Sequence, residues 1–168
     1  MSSLQTKKSK PLIEQATTNT TSWVGRRPDD KELLCGQTFI SPAEGVLDSI
    51  EVFSSIVSKP GKLVMTLHQF DRHHKTWGPA MGTTSVEMNS SSAGSWVAFP
   101  IPGLLLQKGQ SYGFKLESAD AYVGIGEAAG SYANPPFDDG QEWQFLKNEQ
   151  RSHAFSYFSL AFKVGLRA

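Results

Sequence analysis

The 168-residue sequence predicts an all-β protein, an antiparallel two-sheet β-sandwich of the jelly-roll type with about eight to ten strands. Three observations lead there. Apolar and polar residues alternate with a period of two along several short segments, the pattern of half-buried strands. Fifteen glycines and nine prolines punctuate those segments with turn signals. No segment carries a convincing helical periodicity: residues 3–15 are the one candidate, and Lys10-Pro11 breaks it. A closed, lipocalin-like barrel is the alternative architecture.

The first clear strand is 46–53, with Val46, Ile50 and Val52 on one face, Ser49 and Glu51 on the other, and Asp48 interrupting the apolar side. Pro60-Gly61 turns the chain into 62–70, where Leu63, Met65 and Leu67 point inward and Thr66 and His68 outward. Residues 84–88 alternate again, and Asn89 to Gly94 is a small, polar loop. Trp96 to Phe99 forms the next strand, which Pro100 and Pro102 confine to an edge or a strand end. After a turn at Lys108-Gly109-Gln110, Tyr112, Phe114 and Leu116 share one face, with Ser111, Lys115 and Glu117 opposite. Ala119-Asp120 closes a tight turn into the strand from Ala121 to Gly126. Residues 126–141 are rich in Gly, Ala, Asn, Pro and Asp and read as one long loop, a length associated with binding. The last strand is 154–164, with Phe158, Leu160, Phe162 and Val164 against Ser159, Ala161 and Lys163.

Several of these segments, with Ile13-Glu14-Gln15 before them, follow a recognisable order. Gly36-Gln37-Thr38-Phe39, Leu47 to Val52 and Pro60-Gly61-Lys62-Leu63 come first. Ser95 to Phe99, Leu106 to Tyr112, Ser131-Tyr132, Gly140-Gln141-Glu142-Trp143 and Ser159-Leu160-Ala161-Phe162 follow. Across residues 12–166 this order resembles a family of bacterial β-sandwich domains found alone or appended to secreted and surface proteins. The resemblance implies a jelly-roll domain similar to carbohydrate-binding modules, in a family where many members have no assigned role. The chain departs from that pattern at Asn134-Pro135-Pro136-Phe137-Asp138-Asp139, where the family's segment is shorter and richer in glycine.

Composition narrows function mainly by exclusion. Sixteen basic and sixteen acidic residues cancel, whereas a dedicated nucleic-acid binder needs a basic surplus to neutralise phosphates. A single cysteine, Cys35, excludes an internal disulfide and reads as a small core residue. No apolar run is long enough to span a bilayer. Residues 1–11 read as a disordered polar tail and 12–168 as one sandwich domain. Without a signal-peptide pattern the default expectation is cytoplasmic, or secreted and cell-surface if a signal has been removed.

The densest polar segment, Asp71 to Gly78, joins two strands. Trp77 offers a platform for the C–H face of a sugar, and Asp71, Arg72 and His73 offer hydrogen bonds to its hydroxyls. The competing reading is a solvated loop whose tryptophan packs on the edge of the sandwich. Tyr132 and Trp143 frame a cleft with Trp77 if their two loops lie at one end of the molecule, with Tyr122 as a further wall. Asp138 and Asp139 are the calcium candidates, although an Asp-Asp-Gly turn explains them equally. Adjacent His73 and His74 point opposite ways in extended chain and do not share an ion. Glu87, Glu117, Glu127 and Glu142 supply carboxylates for a glycosidase pair, with nothing in the sequence to select two of them. The expected function is a non-catalytic binding module for a carbohydrate, needing no cofactor. A protein-interaction sandwich is the alternative, and a small hydrolase the second alternative.

Overall fold

The computed structural model describes residues 11–29, 31–101, 103–147 and 152–167. Their fourteen strands belong to one hydrogen-bonded sheet, curled into a half-barrel, and every pairing is antiparallel. The count exceeds the expected eight to ten because several expected runs are divided and further short strands join the sheet. The strands are β1 (Pro11–Gln15), β2 (Thr20–Arg26), β3 (Glu32–Ile40), β4 (Gly45–Lys59), β5 (Gly61–Asp71), β6 (Thr76–Met88) and β7 (Ser95–Pro100). They continue as β8 (Leu105–Leu106), β9 (Ser111–Glu117), β10 (Tyr122–Ala129), β11 (Glu142–Leu146), β12 (Ser152–Phe155), β13 (Phe158–Leu160) and β14 (Phe162–Arg167). The only helical turn among the described residues is Ser90–Ser92, capped by the Asn89 side chain. Among the described residues no helix is long and apolar enough to cross a membrane.

The main path runs β1-β14-β4-β10-β2-β3-β9-β5-β6. Its two arms close on one core. Phe162 on β14 packs against Phe39 on β3 and Phe114 on β9, with ring centroids 6.2 and 5.7 Å apart. Strands so far apart along the path touch only if the sheet curls, and burial of Leu63, Met65, Leu67, Tyr112, Phe114, Val123, Ile125 and Val164 rewards the curl. The inward residues predicted for 62–70 and 111–118 are buried, but so are His68 and Ser111 of the opposite faces, His68 against the Trp77 ring.

Three segments differ from the sequence reading, each because a partner strand sets the phase. Val46 is exposed and Leu47 buried, because a bulge at Asp48 shifts β4 against β14. The Asp48 carboxylate accepts a 2.9 Å bond from Arg167 Nε. The strand expected to stop at Gly126 continues to Ala129, paired with β2 and then β13, so the loop spans 130–141. The run 154–164 is three strands: β12 pairs with β11, β13 with β10, and β14 with β1 and β4. Between the last two, buried Ala161 donates to Gly126 O at 2.8 Å, and Ser159 is buried as well. Of the expected tail, residues 1–10 lie outside the described residues, while Pro11 already pairs with Gly165.

One end of the interior is polar. Ser22, Cys35, Gln37, Glu127 and Glu142 alternate in phase with the core residues Val24, Phe39 and Ile125 and are all buried. The Gln37 carbonyl accepts from Leu160 N at 3.0 Å, and its amide donates to Thr38 O at 3.1 Å.

Candidate functional site

The β5–β6 hairpin is the first wall. Its strands run to Asp71 and resume at Thr76, so the expected loop shrinks to a four-residue turn in which Lys75 has a φ of 51°. Asp71 builds that turn. Its carboxylate accepts from the backbone N–H groups of His73 and His74 at 2.9 and 3.1 Å and from His74 Nδ1 at 2.8 Å. These bonds, the His74 ring first, hold the Asp71 carboxyl below its ordinary range. Arg72 and His73 are left exposed at the tip.

The second wall is the 130–141 loop. Phe137 anchors it by packing edge-on against Phe162, 5.2 Å between centroids. Gln141 and Thr38 exchange backbone and hydroxyl bonds at 2.9 Å. A Cβ on Gly140 would fall 1.8 Å from Thr38 O, so the close approach requires glycine. Loop and hairpin tip lie at one end of the molecule and enclose a cleft of about 300 Å³. Phe70 and Phe137 form its apolar patch, Arg72 and Lys75 enter from the hairpin, and Asp138 and Asp139 from the loop. A second cleft of about 430 Å³ shares Phe70, Arg72 and Ser111 with the first and adds Gln69, Asp71, His73 and Gln110. The two are halves of one groove astride Arg72.

The two tryptophans lie elsewhere. Trp77 and Trp143 touch each other on the outer face of the sheet, 5.9 Å between centroids and near perpendicular, with Phe70 and Phe145 against both. The Trp77 ring covers Gly36 and Gly113, where added Cβ atoms would come within 3.1 and 2.5 Å of it. Lys115 Nζ caps the layer, 4.9 Å from the Trp77 ring and 4.7 Å from Phe145, and burial lowers its pKa. His68 completes it, edge-on to Trp77 at 5.6 Å. Trp143 is only 5% exposed, and neither indole lines the groove.

Tyr132 is 80% exposed and meets Tyr157 edge-on at 5.0 Å. Tyr122 stacks on Trp23 at 4.7 Å and lines a separate cleft with Arg26, Arg27 and Lys59. The loops therefore meet as the sequence required, but Trp77, Tyr132, Trp143 and Tyr122 do not share one cleft. Among the described residues no group of three or more His, Cys, Asp or Glu side chains is placed to hold a metal ion, so Asp138 and Asp139 have no acidic or imidazole third partner.

Of the four glutamates, the structure brings Glu127 and Glu142 together. Both are buried in the core, and Glu142 is pushed up to about 10, by burial first and then by Glu127. The pair lines none of the three clefts. One signal was legible: Glu127 falls in phase with Val123 and Ile125, a carboxylate on the core face of its strand. Phe70 and Phe137, the apolar contacts of the groove, carried no such signal. Compared with known proteins, the chain matches no family model, and no curated protein matches it.

Proposed function

We propose that the protein is a non-catalytic binding module that takes a carbohydrate in the groove astride Arg72. On this reading the curled sheet is a jelly-roll sandwich similar to carbohydrate-binding modules. The observation that carries it is the make-up of the first cleft. Phe70 and Phe137 offer an apolar patch, with two cations on one side and two carboxylates on the other. A sugar presents a C–H face and a ring of hydroxyls that both donate and accept, so it uses an apolar patch bordered by both kinds of partner. The opposed charges leave the groove near neutral, which suits an uncharged ligand better than a phosphate. The reading invokes no cofactor.

The test is a broad glycan array with the wild type, followed by titration of the best ligand against Arg72→Ala and Asp138→Ala. Expected is a loss of at least about tenfold in affinity, the scale of one charged hydrogen bond, with an unchanged melting temperature. No binding across the array, or equal affinity in the variants, overturns the reading. A second reading, a protein-docking surface, rests on exposed Tyr132 and the contiguous rings of Tyr157, Phe155 and Phe158. Light scattering that finds an oligomer lost on Tyr132→Ser favours it.

A further inference from the structure

The turn after β2, the end of β4 and the start of β10 meet around a cleft of about 300 Å³. It lies at the other end of the molecule from the groove. Strand β5 starts at Gly61, two residues past Lys59 in the cleft, and ends at Asp71 in the hairpin tip, a run on the order of 30 Å. Strand β10 begins with Tyr122 in the cleft and ends at Ala129, where the loop that walls the groove departs. The cleft is lined by Arg26, Arg27, Pro28, Ser58, Lys59 and Tyr122. That is three cations and no carboxylate, in a chain whose formal net charge is zero.

The backbone holds these groups in place. Tyr122 pairs with Gly25 on one side and Lys59 on the other. Gly25 has a φ of 115°, and a Cβ there would fall 1.9 Å from Ala121 O, so only glycine lets β2 press this closely on β10. Arg26 N then donates to Ala121 O at 3.1 Å, and Arg27 N to Lys31 O at 2.8 Å, which closes the turn that carries the arginines. Trp23 stacks on Tyr122 at 16° from parallel but does not line the cleft. It backs one face of the phenol ring and leaves the rest of that ring to the cleft. The acids nearby are engaged elsewhere. The Asp120 carboxylate accepts from Lys62 N at 3.0 Å and from the Ser118 hydroxyl at 3.2 Å, and Glu32 pairs with Lys147 at 3.1 Å. Asp29 meets Arg27 at 3.1 Å in an exposed pair, a kind that costs little to exchange. Lys59 has no ion pair among the described residues.

We propose that this cleft is a second binding site, and that it takes a phosphate monoester carried on a flat ring. Such a group bears about 1.5 to 2 negative charges near pH 7 and presents three acceptor oxygens. The planar guanidinium of an arginine matches two of those oxygens at once, and Lys59 meets the charge as a point cation from the other side of Tyr122. A carboxylate would be satisfied by one arginine and would leave the remaining cations unused. The ligand's ring lies against Tyr122, which Trp23 holds from behind. The site shares no lining residue with the groove and does not depend on what the groove binds.

The experiment is a two-dimensional NMR titration of the full chain with phenyl phosphate, beside inorganic phosphate and phenol, the two halves of that probe. Expected are saturable shifts of the Trp23 indole and of the amides of Arg26, Arg27 and Tyr122, with a dissociation constant below about 1 mM. Each half alone should bind at least about fivefold more weakly. Lys59→Ala should lose about fivefold or more, and Lys59→Arg should keep most of the affinity. Both substitutions change an exposed side chain at the end of a strand, and unshifted peaks elsewhere show that the variants fold. The proposal is overturned by no saturable shift at the cleft, by either half binding as tightly as the whole, by unchanged affinity in Lys59→Ala, or by Lys59→Arg losing as much as Lys59→Ala. No glycan enters this measurement, so an empty glycan array removes the reading of the groove and leaves this site standing.

Discussion

Replacing Glu142 by glutamine removes one titratable proton and keeps the shape of the side chain, so its effect on stability is a function of pH. In the folded chain the carboxyl stays protonated up to about 10, against an ordinary value of 4.5. Unfolding above 4.5 releases the proton to water, so the folded state binds more protons than the unfolded one between those limits. Stability contributed by this site is greatest below the unfolded value and falls as pH rises toward the folded one. The slope is about 1.4 kcal/mol per pH unit for a single proton. From about pH 6 to about pH 8 the wild type should lose roughly 3 kcal/mol relative to Glu142→Gln, which has no proton to release at this position. Urea unfolding at three pH values, followed by tryptophan fluorescence, measures that difference. Parallel pH dependences in the two proteins would refute the raised Glu142 carboxyl.

Two further outcomes follow from the outer face. Gly113→Ala puts a Cβ about 2.5 Å from the Trp77 ring and should cost about 1–3 kcal/mol by overpacking, read as a lower urea midpoint. An unchanged midpoint would mean that the indole does not lie on that glycine. His68 Nδ1 meets Gly78 O at 2.9 Å, and because a carbonyl only accepts, the ring is the Nδ1–H tautomer, with Nε2 accepting from the Thr66 hydroxyl at 2.8 Å. Burial holds its pKa below 6.5, so its share of stability is lost as acid protonates the unfolded chain first. An NMR titration of the ring should find a midpoint under 6.5, and one above it contradicts the packing.

Period-two alternation identifies strands and faces wherever partners are in simple register, as in 62–67 and 112–117. It fails at Val46, because the bulge that exposes this residue depends on where β14 sits, and β14 lies more than a hundred residues away. It merges β12, β13 and β14, because adjacent segments that alternate alike look continuous until each finds a different partner. At the site, the sequence located both walls of the groove. For Trp77 the packed reading, not the sugar platform, matches the contacts, and the composition of a polar loop says nothing about the glycines beneath a ring. Gly36 and Gly113 make a bare patch of sheet, and Trp77 covers it. Glu127 and Glu142 were two of four possible choices until both proved to lie on the core face of their strands.

In the sheet, β14 lies between β1 and β4, so the first described strand pairs with the last. The core side chains Phe162 and Val164 arrive with it. During synthesis β1 leaves the ribosome without a neighbour and waits while about 150 residues are added, on the order of 10–30 s at ordinary elongation rates. Closure of the half-barrel therefore waits for β14, and until then β1 has no partner strand among the described elements.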